Sequence, residues 1–242
     1  MLRRTSAPHR PQGGIIVAIG YPLSDSVYSP RREFDLTPPV PPSHDNDNDQ
    51  HINNTNLHLP KHGGADLFLD FILSEVKPFV RSAFPSIEVS EEALFGHSYG
   101  GLFCLHTLFT RPGAFDCYIA ASPSIHWCNR FILSEEQAYR EQLELPQRCS
   151  EQETPRLMLF FGSYEQDPPR WPGEPVDDYR KRHKAAVERG MKSNAIAMHM
   201  RLKESGKLAS IIWKEYPEED HGTVVACAVS RGLTTFFEER TG

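Results

Sequence analysis

Among 242 residues, the run Ala93-Leu94-Phe95-Gly96-His97-Ser98-Tyr99-Gly100-Gly101-Leu102-Phe103 has the clearest potential for chemistry. It is a G-x-S-x-G pattern set between a short apolar strand and an apolar helix. A free serine hydroxyl is a weak nucleophile, so both its position and its neighbours matter. On a sharp strand-to-helix turn, Ser98 Oγ is raised above the sheet near the positive end of the following helix. The turn strains the backbone, and side chains two residues away would collide; Gly96 and Gly100 remove them, and Gly101 lets the helix approach the sheet. The chemistry of such a serine is acyl transfer, begun by attack on a carbonyl carbon.

The hydroxyl needs a base within hydrogen-bonding reach, and histidine titrates near neutrality. In the α/β-hydrolase fold the order along the chain is serine, acid, histidine. His106, His126, His183, His199 and His221 lie downstream of Ser98. His106 and His199 fall in helical stretches, and His183 lies in the charged run Arg180-Lys181-Arg182-His183-Lys184, which reads as a solvated face. His221 lies in the loop Pro217–Gly222, after an apolar strand and before an apolar helix, and is the expected base. The ring of His97, directly beside Ser98, is expected to point elsewhere.

The orienting acid is expected in Gly162-Ser163-Tyr164-Glu165-Gln166-Asp167, the loop after the strand before last. Glu165 is the first choice and Asp167 the second; Asp220 is too close in sequence to His221. The oxyanion of acyl transfer needs fixed donors, typically two main-chain N–H groups. Tyr99, directly after the nucleophile, supplies one. Tyr21 in Gly20-Tyr21-Pro22 is expected to supply the other, since Pro22 has no N–H.

These groups need a scaffold. Ile15–Ile19, Ala93–Phe95, Cys117–Ala121, Leu157–Phe161 and Ile211–Tyr216 read as continuous apolar strands of the kind found inside parallel sheets. Phe68, Ile72, Val76 and Val80 recur every four residues, with Leu67, Phe71 and Phe79 alongside, and predict an apolar helix face that Pro78 kinks or ends. Further helices are predicted over Leu102–Thr110, Ser134–Leu143, Asp177–Glu204 and Thr223–Glu239. Strands alternating with helices imply a mostly parallel sheet in a single α/β domain spanning residues 1–242. Residues 37–62 interrupt it with clustered Pro, Asp and Asn, too polar to offset the entropy of ordering, and are expected to form a flexible insertion. Its histidines, His44, His51, His58 and His62, have no ligand spacing that would specify a metal site.

The formal charge of −6 argues against a nucleic-acid binder. Five scattered cysteines without a CxxC pair argue against a disulfide scaffold or zinc site and suit a reducing, cytoplasmic compartment. Ile15–Ile19 is far too short to span a bilayer, so no membrane partner is expected. The first 14 residues hold Arg3, Arg4 and Arg10 and no acid, and read as a frayed terminus.

Several segments together resemble one family. They are Ile19-Gly20-Tyr21-Pro22, Arg31-Arg32-Glu33-Phe34-Asp35-Leu36-Thr37-Pro38, Gly63-Gly64-Ala65-Asp66, Gly96–Gly101 and Ser122-Pro123-Ser124, with Gly162–Gln166 and Asp220-His221-Gly222. They are similar, in order, to the Putative esterase family of α/β-hydrolases, which includes ferric enterobactin esterases and fungal siderophore esterases acting on fusarinine-type compounds. The resemblance implies a serine esterase that cleaves siderophore esters to release iron inside the cell. No metal or organic cofactor is implied, because iron would arrive with the substrate. Ser98 and His221 match the family's catalytic pair, and Glu165 its acid less closely, since some members work with a dyad. Arg32 and Asp35 match a recurrent motif, either as an ion pair bracing the loop or as a substrate contact. Trp127 could wall the pocket or be an ordinary buried tryptophan. Members carry further strands before the one matched by Ile15–Ile19, so the resemblance implies a sheet lacking its usual N-terminal strands. An open edge of that kind would let chains pair as a homo-oligomer. Two other readings stand beside this one: a general carboxylesterase or thioesterase like S-formylglutathione hydrolase, and a non-catalytic binding protein derived from a shortened hydrolase.

Overall fold

Four runs of apolar, mostly unbroken sequence pair into one parallel sheet in the order β1-β2-β3-β4. They are β1 (Ala93–His97), β2 (Cys117–Ala121), β3 (Arg156–Gly162) and β4 (Ser210–Tyr216). The computed structural model describes residues 14–22, 28–41, 62–142 and 154–238. The register aligns Gly96 with Ala120, Ala120 with Leu159, and Gly162 with Tyr216, so the strands end together at one edge of the sheet.

The helices follow the chain as α1 (Arg31–Leu36), α2 (Ala65–Phe71), α3 (Lys77–Ala83), α4 (Tyr99–Thr110), α5 (Ile132–Glu141), α6 (Val176–Arg189), α7 (Met191–Ser205) and α8 (Val224–Glu238). β2 and the inner part of β3 are buried because helices cover both faces. On one face Tyr118, Ala120, Leu157, Leu159 and Phe161 pack with α2, α4, α5 and α7. On the other, Cys117, Ile119, Ala121, Met158 and Phe160 meet Ala228 and Phe236 of α8. Alternate residues of the same strand thus serve two cores, as the period of two requires. α4 is buried all round from Gly101 to Phe109 and is apolar there apart from His106 and Thr107.

Three expectations are corrected. Ile15–Ile19 forms no strand, and its side chains stay open to solvent, Ile16 being 67% exposed. Its β-branched residues give it strand propensity, but a parallel-sheet strand needs a ladder and cover on both faces, and this run has neither. The face expected over residues 67–80 is only partly apolar-in: Leu69 and Ile72 are buried, whereas Leu67, Phe71 and Phe79 are exposed. A π turn at Ile72–Val76 joins α2 to α3 directly before Pro78, whose missing N–H and bulky ring oppose a regular turn there. The stretch 177–204 is two helices, because Gly190 adopts the left-handed conformation (φ 59, ψ 40) and ends α6. The polar insertion lies mostly outside the described residues.

Candidate active site

At the carboxyl edge of the sheet, each strand delivers one polar group. Ser98 follows β1, Ser122 follows β2, Glu165 ends a 3₁₀ turn (Ser163–Glu165) after β3, and His221 lies in the loop after β4. Open α/β sheets bind ligands at this edge.

Ser98 has φ 60 and ψ −118, an unfavourable backbone for a residue with a side chain. Its N–H donates to Ala121 O at 3.0 Å, and its carbonyl accepts from Leu102 and Ser124 N–H at 2.9 and 3.2 Å. A Cβ at Gly96 would run into the Gly100 carbonyl, and one at Gly101 would lie 2.9 Å from Ala121 O, so both positions need the bare backbone. Gly100 does not, because a Cβ there meets nothing within 4 Å. The role expected of Gly100 as remover of a colliding side chain is therefore corrected: its main chain, not its missing side chain, fills the space beside Gly96.

His221 Nε2 lies 3.0 Å from Ser98 Oγ, although the two residues are 123 positions apart. His221 Nδ1 lies 2.7 Å from Glu165 Oε2. An ionised carboxylate only accepts, so Nδ1 carries the proton and Nε2 is the acceptor facing the Ser98 hydroxyl. With Ser98 donating to His221, the hydroxyl of Ser124, 3.4 Å away, donates to Ser98 Oγ. The Glu165 side chain is 1% exposed and that of His221 45%, so the acid is enclosed and the base is open to the cavity. Of the two acids considered, only Glu165 reaches His221; Asp167 points outward and pairs with His183 at 3.2 Å. Asp220 accepts the N–H groups of Gly222 and Thr223 at 2.8 and 2.9 Å, and these bonds hold its carboxyl below the usual range. It shapes the loop instead of orienting the ring.

The ring of His97 leans on His221, with centroids 4.6 Å apart, and its Nε2–H donates to the His221 carbonyl at 2.7 Å. Burial, then the nearby His221, hold its pKa below the ordinary value, which keeps the ring neutral. Arg32 Nη2 donates to the His97 carbonyl at 3.5 Å, and its guanidinium lies over the Tyr99 ring at 5.6 Å. The ion pair within that segment is Arg31–Asp35, at 3.1 Å, and not Arg32–Asp35. The Tyr21 hydroxyl is buried near Asp35; burial and that negative charge push its pKa up.

A cavity of about 670 Å³ opens above these groups. Its wall includes Ser98, Tyr99, Ser124 and His221 on one side and Trp171, Arg182 and Arg189 on the other. Neither Arg32 nor Trp127 is among the lining residues, nor is Tyr21. Of the two readings open for Trp127, the structure places it as a buried tryptophan, 7% exposed in the core and edge-on to His62 at 5.8 Å. The far wall was not foreseen. Arg182 belongs to the charged run read as a solvated face, yet it pairs with Glu174 at 2.7 Å and lies 5.3 Å from the Trp171 ring centroid. The signal was present in Trp171 and Glu174, whose distance from the motifs in sequence concealed it.

Comparison with known proteins gives a consistent picture. The family model described as Putative esterase matches residues 37–194. The chain is 47% identical to a siderophore triacetylfusarinine C esterase of Aspergillus fumigatus, over 98% of this chain and 75% of the relative. It is 45% identical to a siderophore enterobactin esterase of Emericella nidulans, over 96% of this chain and 75% of that protein. The solved structure of siderophore hydrolase EstB from Aspergillus nidulans superposes with a TM-score of 0.83 at 44% identity, covering 98% of this chain and 75% of that one.

Proposed function

This chain belongs to the Putative esterase family and is a carboxylic ester hydrolase, and from that premise we propose that it cleaves the ester bonds of a siderophore with Ser98 as nucleophile, His221 as base and Glu165 as the acid. The observation that carries the reading is the unbroken relay from Ser98 Oγ to His221 Nε2 (3.0 Å) and from Nδ1 to Glu165 Oε2 (2.7 Å) at the cavity wall. His221 Nε2 takes the hydroxyl proton as Ser98 Oγ bonds to the ester carbonyl carbon. The carbonyl oxygen becomes an oxyanion and Glu165 stabilises the imidazolium. As the ester C–O bond breaks, Nε2–H passes its proton to the departing alkoxide. Water, deprotonated by the same nitrogen, then attacks the acyl-serine; the acyl C–Oγ bond breaks, the acid is released, and Nε2–H returns its proton to Ser98 Oγ.

Tyr99 N–H, at the start of α4 and on the cavity wall, is assigned as one oxyanion donor. Tyr21, expected to supply the second, does not line the cavity, so its N–H is not assigned that role; its ring lies near Asp35 and Arg32, and Arg32 in turn covers Tyr99. The substrate arrives as a small molecule bearing its own iron, and its hydrolysis releases that iron in the cytoplasm, as the scattered cysteines suit. No helix among the described residues is long and apolar enough to cross a membrane.

The test is a mass-spectrometric survey of products from ferric and iron-free triacetylfusarinine C, enterobactin, and simple acyl esters and thioesters. Siderophore cleavage that falls on the order of 10⁶-fold in Ser98→Ala is the expected outcome. Turnover that survives this substitution contradicts the assignment. Preference for simple esters or thioesters points to a general carboxylesterase.

A further inference from the structure

We propose that Ser122 is a positioning residue for the relay, holding Glu165 so that one carboxylate oxygen is left to His221. This rests on the assignment of Glu165 as the acid. Ser122 directly follows β2, the strand between those that deliver Ser98 and Glu165. Its Oγ–H donates to Glu165 Oε1 at 2.6 Å, and Gly162 N–H donates to the same oxygen at 2.7 Å. With Oε1 doubly engaged, Oε2 is the oxygen that receives His221 Nδ1–H at 2.7 Å. The carboxylate therefore has a single rotational setting, and His221 is aimed at Ser98 by it.

The backbone of Ser122 argues that the hydroxyl is why serine occupies this position. The residue is fully buried and has φ 44, a left-handed conformation that glycine adopts without strain and serine does not. Its N–H donates to Phe160 O at 2.6 Å, which continues the β2–β3 ladder past the strand end and fixes the site of the side chain. A packing role would be met as well by glycine. Only the link to Glu165 requires Oγ.

Ser122→Gly separates the two roles, because it relieves the backbone while deleting the hydroxyl. The expected result is a melting temperature equal to or above that of the parent, KM unchanged, and kcat lower by roughly 10- to 100-fold, the range for losing a partner that orients a functional group. Ser122→Ala, which retains the Cβ, should lose kcat to the same extent and serves if the glycine variant does not fold. In a Glu165→Gln background, where the acceptor is already altered, either Ser122 substitution should change kcat by less than about threefold. Full kcat in Ser122→Gly or Ser122→Ala overturns the proposal, as does an equal fractional loss in both Glu165 backgrounds. If Ser98→Ala is inactive while the Ser122 variants are fully active, this inference alone fails. If Ser98→Ala is active, the underlying assignment fails.

Discussion

Ser98 is held at φ 60 and ψ −118, and a residue in such a region costs of order 1–3 kcal/mol. The glycines around it are not equivalent in making that tolerable. At Gly96 an added Cβ would collide with the main chain of Gly100, which cannot move without displacing the start of α4; at Gly100 an added Cβ meets open space. Gly96→Ala is therefore expected to destabilise by about 2 kcal/mol or more, or to prevent folding. Gly100→Ala is expected to be neutral or to stabilise by up to about 1 kcal/mol, since alanine is the better helix former. Thermal unfolding of the two variants checks this, and equal destabilisation contradicts it. At this scale the serine and histidine were legible because motif and chain order single them out. The acid was legible only as a first choice, Glu165 over Asp167, because both lie within a few residues of the strand end, and the 3₁₀ turn after β3 sends the first inward while Asp167 faces outward. Ser122 was quoted within a motif, but nothing in a one-dimensional pattern shows a left-handed backbone or a buried acceptor beside it.

The elements follow the same logic. Strand β2 and the inner part of β3 could be read from their apolar runs because cover on both faces selects continuous rather than alternating hydrophobicity, whereas β1 is half-buried and the middle of β4 is exposed. Ile15–Ile19 shows the limit of that signal, which reports propensity and leaves pairing undetermined. Gly190 was a visible stop signal inside residues 177–204, and the charged, helix-favouring residues around it concealed the break. His106 was set aside as helical, and the structure shows what it does for the elements: its Nδ1 meets Glu135 of α5 at 2.9 Å and its Nε2 meets Asp66 of α2 at 3.3 Å, so it joins α2, α4 and α5. Burial alone would lower its pKa, but hydrogen bonding and charge from Glu135, then Asp66, outweigh this and raise it. Arg111 faces Asp66 at 3.9 Å and shares that acid. A pKa raised in the folded state means that protonated His106 contributes stability fully below the unfolded value of about 6.5, and that this contribution fades as pH rises through the folded value. The melting temperature of the parent should thus exceed that of His106→Gln most at about pH 6 and least at about pH 9. A gap that is constant or widens with pH would show that His106 is not charged in the fold.

For the whole molecule, a net charge of −6 describes the surface and says little about the cavity, where Arg182 and Arg189 face an acidic relay. The fold has one consequence for function: it brings together groups from four strand ends, so that no local segment holds the site. The account depends on Ser98 being activated by His221, and a fluorophosphonate tests that directly, since it phosphonylates only an activated serine. Intact mass and peptide mapping of the full chain should show a single adduct, on Ser98, with the rate of its formation lowered by at least about 10³-fold in His221→Ala. An adduct on another residue, or an unchanged rate in that variant, would contradict the account.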